Sequence, residues 1–283
     1  MSSTAILEQR TFLVTGANSG IGRALVEALA ARGARLVLAS RSEERTMPVL
    51  QALRARHPAI DASFLQVDVS DLSSVRSAAQ AFLATRHPLD VLVNNAGIAG
   101  TEAITRDGFD VTYATNHIGP FLLTNLLLPR LRESDEGRII NVASMAHMRV
   151  KQIDWSVLAR RTTAIRSGFA AYSVTKLMNI LHAKQLSHRL VGTSVTTSSL
   201  HPGAVASNIW RALPRPVQWL LKRFMLSNEA GAETPLYCAT SPDLRNVSGR
   251  YYDRCREVAP SPLAEDEALA RELWDRTEPL VAE

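Results

Sequence analysis

Tyr172 and Lys176 lie four positions apart in Tyr172-Ser173-Val174-Thr175-Lys176, inside a stretch, residues 170–190, that reads as a helix. That spacing sets both side chains on one helix face. An ammonium beside a phenol favours the phenolate and lowers its pKa from about 10. A tyrosine so placed can give or take a proton near neutral pH. By itself such a pair is an ordinary surface contact; its position ahead of an apolar strand and behind a nucleotide-binding pattern gives it weight. Ser144 comes just after the apolar run Ile139-Ile140-Asn141-Val142-Ala143, and ligands of parallel sheets bind at strand C-termini. Asn116 sits in a long helical segment just before Gly119-Pro120. All three are poor helix residues, which points either to a functional kink or to a buried structural amide.

A second group could hold a dinucleotide. Thr15-Gly16-Ala17-Asn18-Ser19-Gly20-Ile21-Gly22 joins a short apolar run to an amphipathic one. Gly16 permits a tight turn, Gly20 lets a pyrophosphate approach the backbone, and Gly22 lets the helix pack closely. The helix N-terminus then offers free N–H groups and partial positive charge. The next strand ends Ser40-Arg41. An acid at this point suits the ribose hydroxyls of NAD, whereas a neutral Ser40 followed by the Arg41 cation suits the 2′-phosphate of NADP. NADP(H) is therefore expected, with a solvated loop charge as the plainer role of Arg41. Asp68 either accepts from an adenine amino group or forms a turn. In Asn94-Asn95-Ala96-Gly97 the small residues leave room for a cofactor, and the amides can tie neighbouring strands; Asn94 reads as structural.

These residues need strand ends and helix starts to hold them. Apolar runs at 11–15, 34–39, 62–67, 90–93, 137–143 and 193–200 alternate with helical patterns at 20–32, 42–56, 71–86, 109–132 and 170–190. A helix near 229–240, a short strand near 250 and a final helix from about 263 follow. Gly33 stands where a helix C-terminal glycine belongs, and Ser70 or Asp71 where an N-cap belongs. Such alternation implies an α/β fold, a doubly wound parallel sheet with helices on both faces. No repeat or linker divides the 283 residues, so one Rossmann-like domain over 1–283 is expected.

Composition narrows the function classes. The net charge is +5, but basic residues are scattered, with runs no longer than Arg160-Arg161 or Lys222-Arg223, so nucleic acid is not an expected partner. Cys238 and Cys255 fit neither a metal-ligand spacing nor a disulfide framework. No metal is expected, and a reducing, cytoplasmic location is. The first ten residues lack an apolar signal core and no run of 18 or more apolar residues occurs, so stable membrane insertion is not expected.

Together the glycine turn at 15–22, Asp68, Asn-Asn-Ala-Gly at 94–97, Asn116, Ser144, Tyr172-x-x-x-Lys176 and Pro202-Gly203 resemble the short-chain dehydrogenase/reductase family over almost the whole chain. Asn116-His117-Ile118-Gly119-Pro120-Phe121, Ser199-Leu200-His201-Pro202-Gly203, Ser248-Gly249-Arg250-Tyr251-Tyr252 and Leu273-Trp274 are most similar to its retinol dehydrogenase-like branch. The resemblance implies catalysis by Asn116, Ser144, Tyr172 and Lys176. Tyr172 would exchange the proton, Ser144 would orient the reacting oxygen, Lys176 would hold the nicotinamide ribose, and Asn116 would hold a water linking Lys176 to solvent. Gly16, Asn18, Ser19, Gly20, Ile21, Gly22, Ser40, Arg41, Asp68, Asn95, Ala96 and Gly97 would bind NADP(H) together with Tyr172 and Lys176. Pro202, Gly203, Val205 and Ser207 would border the nicotinamide.

Two departures stand out. Ser19 replaces a basic residue that many NADP-using relatives carry, leaving Arg41 to meet the phosphate. The Ser144–Tyr172 interval is long, and its extra residues, among them Arg149, Lys151, Trp155, Arg160, Arg161 and Arg166, either shape the substrate entrance or cover the helix face through which relatives dimerise; a homodimer stays open. Residues 205–228 fall where the family carries a substrate lid. Ile209, Trp210, Leu213, Trp219, Leu220 and Phe224 make it apolar, which suits a lipophilic aldehyde, ketone or alcohol. The alternatives are a secondary-metabolite (polyketide-type) ketoreductase and a non-catalytic dinucleotide-sensing protein; the sensor has no need of the complete set Asn116, Ser144, Tyr172 and Lys176.

Overall fold

The computed structural model describes residues 7–8, 10–158, 168–205 and 225–282. Ser207, most of the lid at 205–228, and Arg160, Arg161 and Arg166 lie outside the described residues. The strands are β1 (Thr11–Thr15), β2 (Arg35–Ser40), β3 (Ala62–Gln66), β4 (Val91–Asn94), β5 (Gly137–Val142), β6 (Val195–His201), β7 (Arg250–Asp253) and β8 (Arg256–Glu257). They form one sheet in the order β3-β2-β1-β4-β5-β6-β7-β8. Pairing is parallel from β3 to β7, and only the β7–β8 pair is antiparallel. β1, β4 and β5 are buried along their whole length, as strands covered on both faces must be.

The helices are α1 (Gly20–Ala30), α2 (Glu43–Arg56), α3 (Leu72–Ala84), the single turn α4 (Val111–Tyr113), α5 (Gly119–Leu131), α6 (Gly168–Arg189), α7 (Asn228–Thr240), α8 (Pro262–Glu265) and α9 (Glu267–Val281). One core layer joins Val75 and Phe82 of α3, Phe121 of α5, Leu177 and Leu181 of α6 and Trp274 of α9. The other joins Leu25 and Leu29 of α1, Leu50 of α2 and Ala232 and Cys238 of α7. The sheet lies between them. No helix among the described residues is long and apolar enough to cross a membrane.

Asp71 caps α3 by accepting from the Ser73 and Ser74 N–H groups, and Gly33 takes the left-handed conformation (φ 79°) after α1. The long helix expected over 109–132 departs from its pattern. Gly119-Pro120 do not break it; they open α5, where proline is tolerated at the start. The irregularity falls just before them, as a π-helical turn (Ala114–Ile118) that carries Asn116. Such insertions often mark functional sites. Gly119 is the reason the segment can cross so close to the chain beneath it. A Cβ there would lie 1.8 Å from the carbonyl oxygen of Val69. The hairpin strand β8 has no counterpart in the sequence pattern, since two exposed charged residues give no periodicity.

Candidate active site

Strand order reverses at β1, which lies between β2 and β4. In open parallel sheets a crevice forms at such a point, outside the strand C-termini. A cavity of about 740 Å³ opens there, lined by the glycine turn, the ends of β2 and β4, and Tyr172 and Lys176 of α6. Thr15, the last residue of β1, ties its two walls. Its hydroxyl accepts from the N–H groups of Asn95 and Ala96 (both 3.0 Å), and its carbonyl accepts from Asn95 Nδ2 at 2.8 Å. Gly16 and Gly20 have φ of 68° and 56°, the left-handed region that favours glycine. A Cβ on Gly22 would stand 2.5 Å from both Asn95 Nδ2 and the Gly16 carbonyl oxygen. Gly22 is thus fixed by its contact with Asn95 and the turn itself. Ser19 begins α1 without capping it, and no acid occupies the first turn. The open N–H groups and positive end of that helix therefore fit a pyrophosphate.

At the far end of the cavity stand Arg41 and Arg45, with Ser42 capping α2 between them. Arg41 is 71% exposed and only loosely paired, its Nη1 3.5 Å from Asp68 Oδ2. Arg45 was not singled out from sequence; its place one turn beyond Arg41, at a helix start, is the signal that could have found it. Of its two expected roles, Asp68 shows the turn. Oδ1 accepts from the Ser70 N–H and hydroxyl at 2.9 and 2.7 Å, a turn, while Oδ2 faces Arg41. Ser40 lines the cavity, but its hydroxyl bonds Thr46 Oγ1 at 2.5 Å and is 5% exposed. Its side chain thus fastens β2 to α2 at the edge of the cavity. Asn94 is structural as expected, its Nδ2 donating to Thr124 and to Asn141 across to β5.

Four polar side chains meet at the other end. Lys176, buried in α6, donates from Nζ to the Val142 carbonyl at the end of β5 at 2.6 Å and lies 5.5 Å from the centre of the Tyr172 ring. Burial with no anionic partner pushes its pKa down to about 7. Burial holds the Tyr172 phenol above its ordinary value, an effect that the neighbouring Ser144 hydroxyl offsets in part. The expected lowering by Lys176 is therefore corrected: burial disfavours the ammonium and the phenolate together. Ser144 caps the 3-10 turn Met145–Arg149, its oxygen accepting from Ala146 N–H at 3.2 Å. Its own hydrogen stays available for donation.

Asn116 is close at hand but fully engaged. Its Nδ2 donates to Ile98 O (2.9 Å) and Thr175 Oγ1 (3.0 Å), and its Oδ1 accepts from Ile98 N–H (2.9 Å). The side chain clamps the 97–98 segment to α6. Thr175, inside the Tyr-x-x-x-Lys stretch, was missed as the partner of that clamp.

Of the expected cofactor residues, Gly16, Asn18, Ser19, Gly20, Ile21, Gly22, Ser40, Arg41, Asp68, Asn95, Ala96, Gly97, Tyr172, Lys176 and Pro202 all line the one cavity. Gly203 and Val205 stand outside its lining. Val205 pairs with Leu226 in an isolated parallel bridge, and a Cβ on Gly203 would meet Leu226 Cδ1 at 2.5 Å.

Comparison with known proteins agrees with this geometry. The family profile described as short chain dehydrogenase matches residues 10–217. Dehydrogenase/reductase SDR family member 13 of Homo sapiens is 42% identical, over 97% of this chain and 74% of the relative. Retinol dehydrogenase 11 of Homo sapiens is 39% identical, over 97% of this chain and 86% of the relative. A crystal structure of an uncharacterized protein from Mycobacterium paratuberculosis superposes with a TM-score of 0.78 at 32% identity, covering 98% of this chain and 95% of that one.

Proposed function

Because the chain belongs to the short-chain dehydrogenase family, we propose that it is an NADP(H)-dependent oxidoreductase interconverting a lipophilic carbonyl compound and its alcohol. The observation that carries the reading is a single cavity running from the Arg41 and Arg45 cations, past an uncapped helix N-terminus, to Tyr172 and Lys176. Bound there, the nicotinamide supplies or accepts the hydride.

The chain's own residues do the rest. The turn through Gly16 and Gly20 opens α1 so that its first backbone N–H groups, from Gly20 to Gly22, face the pyrophosphate. Arg41 and Arg45 receive the 2′-phosphate through charge-assisted bonds. Lys176 donates to the nicotinamide ribose. In reduction Tyr172, protonated at neutral pH because burial raises its pKa, gives its proton to the carbonyl oxygen, while Ser144 donates a hydrogen bond to the same oxygen and orients it. In oxidation the two steps reverse. Asn116 keeps the Gly97-Ile98 wall fixed against α6 so that the reacting atoms stay aligned.

A lipophilic substrate is supported by the apolar composition of 205–228, which we assign as a lid, and by the names of relatives that are retinol dehydrogenases. A cytoplasmic setting is part of the proposal and is supported by the free thiols of Cys238 and Cys255. The test is consumption of NADPH against NADH over a panel of lipophilic aldehydes and ketones, retinal included. Turnover with NADPH on apolar carbonyls is expected; equal use of NADH, or turnover confined to small polar carbonyls, would contradict the proposal.

A further inference from the structure

His147 lies three residues past Ser144 and is completely buried. Both of its ring nitrogens are taken by backbone groups. Nδ1 stands 2.7 Å from the Ser144 carbonyl oxygen, and Nε2 stands 3.1 Å from the N–H of Ser261. A carbonyl oxygen can only accept, and a peptide N–H can only donate. The ring is therefore neutral with its hydrogen on Nδ1, since no other state satisfies both neighbours. The Ser144 carbonyl also accepts from the His147 N–H at 3.2 Å. One residue thus binds the carbonyl of Ser144 twice and ties it to Ser261, the residue that begins α8.

We propose that His147 is a positioning residue that holds Ser144 in its reactive orientation by clamping it to the chain at Ser261, and that acid opens this clamp. A second proton would put Nε2–H against Ser261 N–H, donor against donor, and release the Ser261 end. Burial supports the neutral ring by lowering the His147 pKa, partly offset by the Ser144 bond. Among the described residues no carboxylate pairs with the ring. Tyr251 of β7 packs edge-on at 5.1 Å, and Tyr251 in turn feels Tyr172 of α6 and Asp253. His201 of β6 is the other nearby imidazole, and it feels Asp253 and Arg254. Arg149 closes the same turn.

The inference rests on the proposed reaction at Ser144 and Tyr172. It gives reduction an acid limb that Tyr172 cannot cause, because protonation keeps Tyr172 in its proton-donating form. Two variants separate the roles. His147→Asn keeps a donor toward Ser144 and cannot titrate; His147→Phe keeps a ring against Tyr251 and loses both bonds. NADPH affinity is expected to be unchanged in both. His147→Phe should lose about 10- to 100-fold in kcat with little change in KM, the scale of a misplaced reacting group. His147→Asn lacks the Ser261 bond at every pH, so at neutral pH it should show the lowered kcat that the wild type reaches in acid, with no acid limb of its own. Wild-type kcat in His147→Phe, or an acid limb that persists in His147→Asn, would overturn the proposal. A readout without substrate keeps the two readings apart. The nitrogen NMR signals of labelled histidine should show His147 as the Nδ1–H form, and amide-exchange protection of Ser261 should fall in the wild type as pH drops below the ordinary histidine value of about 6.5. An Nε2–H form, or protection insensitive to pH, would overturn the clamp even if the enzyme turned over; both signatures present in a protein with no turnover would leave the clamp standing and overturn the reaction.

Discussion

The Lys176 ammonium donates to the carbonyl oxygen of Val142 at 2.6 Å. The last residue of β5 thus aims the lysine of the site, and the same carbonyl accepts from Asn179 Nδ2 at 3.2 Å, one helical turn further along α6. The lysine is held by the sheet, 5.5 Å from the tyrosine ring, and its charge is only weakly supported where it stands.

That arrangement sets a pH dependence. Tyr172 is raised above its ordinary value, so it is protonated throughout the neutral range. On its alkaline side reduction, which needs the phenol, is expected to decline as pH rises through the tyrosine pKa. Oxidation needs the phenolate and should climb with pH over the same interval. Lys176 titrates near 7 in the free protein, so NADPH affinity should weaken as pH rises above neutrality and the ammonium is lost. Rate and binding profiles in both directions check this; oxidation that falls with rising alkalinity would contradict it.

Cofactor choice tests the other end of the cavity. Arg41→Ala removes one cation facing the 2′-phosphate. NADPH should bind more weakly by about 1.5–3 kcal/mol, the usual worth of a hydrogen bond to a charged group, or roughly tenfold or more in Kd. NADH, lacking that phosphate, should bind as before. Titration of each cofactor by calorimetry decides it. An equal loss for both would make Arg41 a structural charge.

Gly119→Ala would set a methyl group 1.8 Å from the Val69 carbonyl oxygen, so backbone must move. The expected effect is a loss of about 1–3 kcal/mol or more in stability. Gly192, with nothing within 4 Å of a Cβ but φ of 83°, is the comparison; there only the backbone conformation resists alanine. Denaturant melts of the two variants should show Gly119→Ala as the more damaging.

Acid should destabilise the fold through two buried imidazoles. His117 bonds Thr277 of α9 at 2.9 Å, and His182 lies near it with ring centres 6.2 Å apart. Burial lowers their pKa values to about 3 and about 4. The unfolded chain protonates at the ordinary value of about 6.5 before the folded one does, so stability is full above that pH and declines as pH falls toward the folded values. At pH 5 the loss is about 2 kcal/mol for each histidine. Denaturant melts at pH 7 and 5 should show the decline, and replacing His182 by Gln should reduce it. A pH-independent stability over that interval would show that these rings are not held neutral.

Much of this was legible in the sequence because it rests on local rules. The apolar runs of β1, β2, β4 and β5, the glycine turn and the Asp71 cap each announce themselves within a few residues. The cavity-lining set was legible for the same reason, since strand ends and helix starts converge at the β1/β4 reversal. What escaped depends on contacts between distant segments. The bond from Ser40 to Thr46, the Asn116 clamp on Ile98 and Thr175, and the His147 link to Ser261 join residues by geometry that no periodicity encodes. The π-helical turn was half legible: Asn116, Gly119 and Pro120 marked a misfit, but the chain resolves it by widening one turn beneath Gly119. The tyrosine pKa was misjudged because a neighbouring charge can be counted from sequence, whereas burial cannot.

The most direct measurement is the single-turnover rate of carbonyl reduction with NADPH in Tyr172→Phe against wild type, together with NADPH affinity. Loss of the proton donor should lower the rate by about 10²- to 10⁴-fold, with NADPH still bound. A rate within a few-fold of wild type would contradict the assignment of Tyr172 as the acid and, with it, the account of the site.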